Sequence, residues 1–167
     1  LYRTPLSEYD HGKRRCAGIA SHPIRIGLVA GIVSGLALGA FLKATQAATG
    51  SKVYTLLLNV DFVPFLPQPL PEWFEFALHL LFSIGIALVY TAVVTRFPAT
   101  RRRAFALGVA AGLAAAPLYF PLAALSDRVP AIDDLEAFFW WTAGHLLYGI
   151  LLGLLGRKFA RGWGPCS

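Results

Sequence analysis

Methionine is missing from this sequence of 167 residues, cysteine occurs only twice, and charged residues make up just 14% of it. Each shortage excludes something. Soluble domains carry nearer a quarter of their residues as Asp, Glu, Lys or Arg, so a chain that is 56% hydrophobic with a mean hydropathy of +0.59 belongs to the membrane class. Cys16 and Cys166 lie in opposite tails with neither Cys-x-x-Cys spacing nor a neighbouring His/Cys cluster, a pattern of two free thiols and no metal site. Acids are scarce too, nine against fifteen bases. Those bases flank apolar runs and do not alternate with aromatics on a soluble face, which excludes nucleic acid as a partner. Catalytic motifs are missing: residues 31–35 read GIVSG and misplace the serine of a G-x-S-x-G elbow, and no H-E-x-x-H, G-K-[ST] loop or pair of intramembrane carboxylates occurs. The expectation is no enzyme, no cofactor and no metal. With Leu1 first and no methionine, a trimmed chain, a processed chain and an unusual start codon all remain open.

What is present is organised around residues 27–39, GLVAGIVSGLALG, where Gly27, Gly31, Gly35 and Gly39 recur every four residues inside an apolar run. On a helix they form one side-chain-free groove against which another helix backbone can lie closely. The first span is expected over 26–48, about 34 Å of helix and enough to cross a bilayer with some tilt. It is too long and too glycine-striped for a secretory signal. A second span is expected over 73–95, opening on Trp73 and Phe74 at an interface. The third, over 104–125, repeats the small-residue theme at Ala104, Gly108, Gly112 and Ala116, giving a groove complementary to the first. Pro117 and Pro121 should kink it and free carbonyls that need partners inside the bundle. The fourth, over 137–156, opens on Phe138, Phe139, Trp140 and Trp141 and carries Gly149 and Gly153. Between the first two, residues 49–72 are apolar but too short to cross and are followed by Pro64, Pro67, Pro69 and Pro71, the pattern of an interfacial or re-entrant segment.

The domain organisation is then a basic tail over 1–25, expected to be cytoplasmic and largely unstructured with Pro23 discouraging helix, one transmembrane domain over 26–158, and a short tail over 159–167. Bases set the orientation. Arg3, Lys13, Arg14, Arg15 and Arg25, then Arg96, Arg101, Arg102 and Arg103, then Arg157, Lys158 and Arg161 share one side, while Lys43, Lys52 and Arg128 occupy the other. This bias places both termini in the cytoplasm. The expected fold is an all-α membrane protein, a four-transmembrane-helix bundle with N-in/C-in topology, in the inner (cytoplasmic) membrane. Lys13–Arg15 and the basic turn are expected to retain topology and contact anionic lipids at the cytoplasmic face.

Polar residues inside the spans are the candidates for function. His79, Ser83 and Tyr90 share one face of the second span, and His145, Tyr148 and Gly149 share one of the fourth. Counted from the outer interface, the two histidines lie at similar depth, with Lys43 and Tyr119 near them and Glu75 one turn above His79. His79, Ser83, Tyr119, His145 and Tyr148 thus define a candidate polar layer. Two uses are open: a proton-responsive pocket, because imidazole titrates near neutral pH, or interhelical glue worth roughly 1 kcal/mol per hydrogen bond. The glycines at 27, 31, 35, 39, 108, 112, 149 and 153 are expected to serve helix packing, within the bundle or between copies.

From residue 76 to 159 the order of motifs resembles the YqhR family of bacterial membrane proteins: FSIGIALVY at 82–90, a basic turn after Arg96 and Phe97, a proline-bearing third span, and HLLYGILLG at 145–153. The YagU inner-membrane group is a more distant likeness, through H-x-x-F-S at 79–83 and Gly-His-Leu at 144–146. The first resemblance implies a membrane protein without catalytic residues to carry over, and the second implies acid-stress physiology. The leading expectation is a non-enzymatic scaffold, assembly or envelope-homeostasis component, with a homo-oligomer or a membrane protein as partner. The alternative is a small oligomeric transporter or proton-linked carrier using the His/Tyr layer and the proline-broken third span. A lipid-acting enzyme stands third, without a nucleophile or metal set.

Overall fold

The computed structural model describes residues 6–60, 70–97 and 100–159, with side chains placed for 23–60, 70–97 and 100–156. The described chain is all helical. Its elements are α1 (Leu6–Thr49), α2 (Val53–Leu58), α3 (Glu72–Arg96), α4 (Arg101–Ala115), a 3₁₀ turn (Ala116–Leu118), α5 (Tyr119–Ala123) and α6 (Leu135–Phe159). Four stretches are long and apolar enough to cross a membrane: Pro23–Thr49, Glu72–Arg96, Arg101–Ala123 and Leu135–Gly156. The surface matches that reading, because Leu28, Val29, Ile32 and Val33 on α1 and Leu81, Phe82 and Val89 on α3 face outward. Such a surface suits hydrocarbon.

The four helices form two antiparallel pairs. On α1, a side-chain carbon added at Gly31 would lie 2.6 Å from the α3 backbone at Ile84 Cα, and one at Gly27 would lie 2.8 Å from Thr91. On α4, a carbon at Gly108 would lie 2.5 Å from Gly153 Cα of α6, and one at Gly112 would run into the His145 carbonyl. The two small-residue stripes therefore do not meet each other. Each is spent on a different neighbour, and α1 joins the pairs by laying Leu38, Phe41 and Leu42 over Gly144 of α6. Helix α3 and α4 come together near one end only, where Tyr90 donates its hydroxyl proton to the Ala104 carbonyl at 2.8 Å and lies against Gly156.

Helix boundaries arise from local chemistry. Gly50, at φ 78°, ends α1 in the left-handed conformation, with its N–H donating to the Gln46 carbonyl. Gln46 then starts α2, its Oε1 accepting from the N–H groups of Tyr54 and Thr55, each at 3.0 Å. Thr100 caps α4 by accepting from Arg103 N, and Asp134 caps α6 by accepting from Ala137 N at 2.9 Å.

Two expectations need correction. The tail is not unstructured, since α1 begins at Leu6 and runs through Pro23. Residues 6–22 contain no proline, and Pro23 removes only the bond to the Ile19 carbonyl, a loss that a helix continuing on both sides absorbs. Within the stretch expected to be interfacial or re-entrant, a finding of a different kind, residues 53–58 form a short helix with Val53, Tyr54, Leu56 and Leu58 buried, while Pro64, Pro67 and Pro69 lie outside the described residues. The third span does break at Pro117, but the carbonyls that Pro117 and Pro121 leave free find partners locally. The Leu113 carbonyl takes the Ala116 N–H, and the Pro117 carbonyl takes that of Tyr119. A 3₁₀ turn tightens to do this. Cys166 and Arg161, and the side chains of Cys16 and Lys13–Arg15, fall outside the description.

Candidate functional site

Buried polar groups gather where α3 and α6 converge on the glycine face of α1. The glycines leave α1 carbonyls open to the side, and α3 supplies donors at helical spacing. Ser83 Oγ donates to the Gly31 carbonyl at 2.7 Å. His79 Nε2 lies 3.4 Å from the Gly35 carbonyl, at the long limit of a hydrogen bond, with the Phe76 ring 5.8 Å away. Helix α6 reaches across with Tyr148, whose hydroxyl donates to the Ser83 carbonyl at 3.1 Å. One turn along α6, the buried His145 directs Nδ1 at the Trp141 carbonyl of its own helix at 2.9 Å and packs its ring 4.3 Å from the indole. A carbonyl only accepts, so Nδ1 carries a proton, and in the neutral ring Nε2 is then the acceptor.

Tyr119 is placed differently from the expectation. It is fully buried, but its hydroxyl donates to the carbonyls of Ala131 at 2.8 Å and Asp134 at 3.2 Å, both in the segment before α6. Its ring lies edge-on to Phe120, Phe138 and Trp141. Only through Trp141 does it touch the layer. Trp141 is itself no interface residue: it is 2% exposed, whereas Phe139 is 61% exposed. Four consecutive helical residues point in four directions, and the run of aromatics concealed that.

Lys43 leaves the layer as well. Its ammonium pairs with Glu72 at 2.5 Å and lies 5.1 Å from the Tyr54 ring centre, while Tyr54 donates to the same carboxylate at 3.0 Å. Burial, and then the hydrogen bond to Glu72, push the Tyr54 phenol up to about 12, so it remains a donor at any physiological pH. This cluster latches α1, α2 and α3 together. Nearby, the buried Glu75 lies 3.8 Å from Arg128 Nη2.

Two buried groups were not legible as candidates. Ser34 Oγ and Trp141 Nε1 are buried without a hydrogen-bond partner among the described residues. A serine among glycines in GIVSG reads as one more small packing residue, and only its complete burial distinguishes it.

Comparison with protein-family models, curated proteins and solved structures found no match.

Proposed function

We propose that this multi-pass chain is a non-enzymatic scaffold, assembly or envelope-homeostasis component of the cytoplasmic membrane, akin to the YqhR family, with both termini in the cytoplasm and its basic end against anionic lipid. The observation that carries the reading is where the interior donors go. Ser83, Tyr148 and Tyr90 each donate to a backbone carbonyl of a neighbouring helix, and His145 to one of its own helix, so their chemistry is spent within the bundle. The segment after α1 lies at the interface in this reading, tied down by Gln46 and Tyr54. Purification in native lipid followed by mass spectrometry tests it: a stoichiometric co-purifying protein supports a scaffold, and a retained polar solute supports a carrier.

One observation favours the carrier as a second reading. Among the described residues, Ser34 Oγ and Trp141 Nε1 have no hydrogen-bond partner, with Trp141 against His145, and buried polar atoms without partners often mark a bound solute or water. The histidines separate the two readings. Under the scaffold, His79→Gln and His145→Gln keep partner binding and lose about 1 kcal/mol of stability each, since an amide can still donate to the carbonyl that each imidazole faces, on α1 for His79 and within α6 for His145. Under the carrier, stability stays near wild type and any dependence of solute retention on pH between about 5 and 8 disappears. Thermal unfolding and retention assays across that range read both.

Orientation has its own test. Cys16 and Cys166 should resist an impermeant thiol reagent in intact cells and react after permeabilisation. Labelling of either in intact cells reverses the proposed topology.

A further inference from the structure

Between α3 and α4 the bundle stays open. A cleft of about 600 Å³ runs along the gap, walled by Phe82, Val89 and Val93 of α3 and Leu107 and Ala111 of α4, and widened at Gly85, where no atom lies within 4 Å of an added side-chain carbon. Tyr90 closes its floor and turns its hydroxyl away to Ala104. From Leu81 to Val93 the cleft is about 18 Å long at the helical rise, close to the depth of one leaflet of a hydrocarbon core of roughly 30 Å.

Both walls change character at the same end. Arg96 comes three residues after Val93 and Arg103 precedes Leu107 by four, so each occupies the next turn of a cleft-lining face. Arg102 and the N-terminus of α4 add positive charge beside them. The result is an apolar slot about one leaflet deep, with an arginine on the next turn of each wall and no acid among the cleft-lining residues.

We infer that this cleft, with Arg96 and Arg103, is a binding site for one anionic phospholipid, whose acyl chain lies in the slot and whose phosphate meets the two arginines. Charge chooses this occupant. A second copy related by an axis along the membrane normal would bring its own arginines to the same level, setting like charges together. An anionic lipid supplies the opposite charge and a chain narrow enough to fit. The site deepens the proposed contact of the basic end with anionic lipid and needs only that the four spans cross a membrane.

The test uses the full chain in detergent, incubated with phosphatidylglycerol or phosphatidylcholine of identical acyl chains and examined by native mass spectrometry. The expected result is a single retained phosphatidylglycerol, bound at least about tenfold more tightly than phosphatidylcholine. Arg96→Gln with Arg103→Gln should remove that preference, and Gly85→Leu, which plugs the slot without touching the helix pairs, should weaken both lipids. Equal retention of the two lipids by the wild type overturns the site. So does a second copy or another polypeptide held in the cleft and released by Gly85→Leu. Several phosphatidylglycerols bound at once and unaffected by Gly85→Leu would leave the basic end as a general anionic surface and defeat the site alone. If the double arginine variant fails to accumulate, the wild-type preference and Gly85→Leu decide.

Discussion

Gly112→Leu and Gly149→Leu should each prevent accumulation of the folded chain, while Gly85→Leu leaves its thermal midpoint within a few degrees of wild type. At Gly112 even the first carbon of a side chain would run into the His145 carbonyl and lie 2.8 Å from Gly149 Cα, and at Gly149 it would lie 2.8 Å from the Gly108 carbonyl oxygen. Those neighbours are backbone and cannot rotate away. Overpacking of yielding side chains already costs about 1–3 kcal/mol, so a backbone collision should reach about 3 kcal/mol or more, a large share of a total of roughly 5–15 kcal/mol. Gly85 is the same residue type, also within a span, but has open space around it. Fluorescence-detected size exclusion and thermal unfolding of the three variants compare them directly. A monodisperse Gly112→Leu variant with wild-type melting would show that α4 and α6 do not approach this closely.

The same glycines show how far the sequence could be read. A period of four marks which face of a helix has no side chains, and Gly27, Gly31, Gly35 and Gly39 of α1 lie close to Leu88, Ile84, Ser83 and Phe76 of α3. Nothing in that period names the neighbour. The choice of α3 for α1 and of α6 for α4 depends on what the opposing face offers: Ser83 to meet the open carbonyl of Gly31, and Gly149 and Gly153 to meet Gly108 and Gly112. Existence and rough extent of the four apolar helices were legible because length and hydropathy are local properties. The helical tail before Pro23 was not, since proline's penalty is judged one residue at a time while a long helix absorbs it. Gln46 was equally hidden. Its side chain caps α2 only because Gly50 turns the chain back, a consequence of one positive φ angle.

Tyr119 carries the other large effect. Tyr119→Ala should destabilise the chain by about 3–5 kcal/mol, the range for truncating a buried aromatic, and Tyr119→Phe by about 1 kcal/mol for the lost hydroxyl bonds. The depth of Tyr119 suggested a place in the histidine layer, but depth counting assumes a uniform helix. Residues 116–118 instead form a 3₁₀ turn, and three residues at about 120° in place of about 100° rotate the rest of the span by roughly 60°. That rotation takes the phenol to the carbonyls of Ala131 and Asp134. Asp134 also caps α6 through Ala137 N, so Tyr119 fixes the residue from which α6 starts, and with it the position of Trp141 and His145. The alanine variant should therefore loosen the segment before α6 as well as the aromatic cluster, and hydrogen exchange at residues 131–137 should rise together with the fall in thermal midpoint. The phenylalanine variant should raise exchange there while keeping most of the midpoint. Tyr119→Ala melting like the wild type, with exchange at 131–137 unchanged, would remove Tyr119 as the clamp between the broken third span and the fourth.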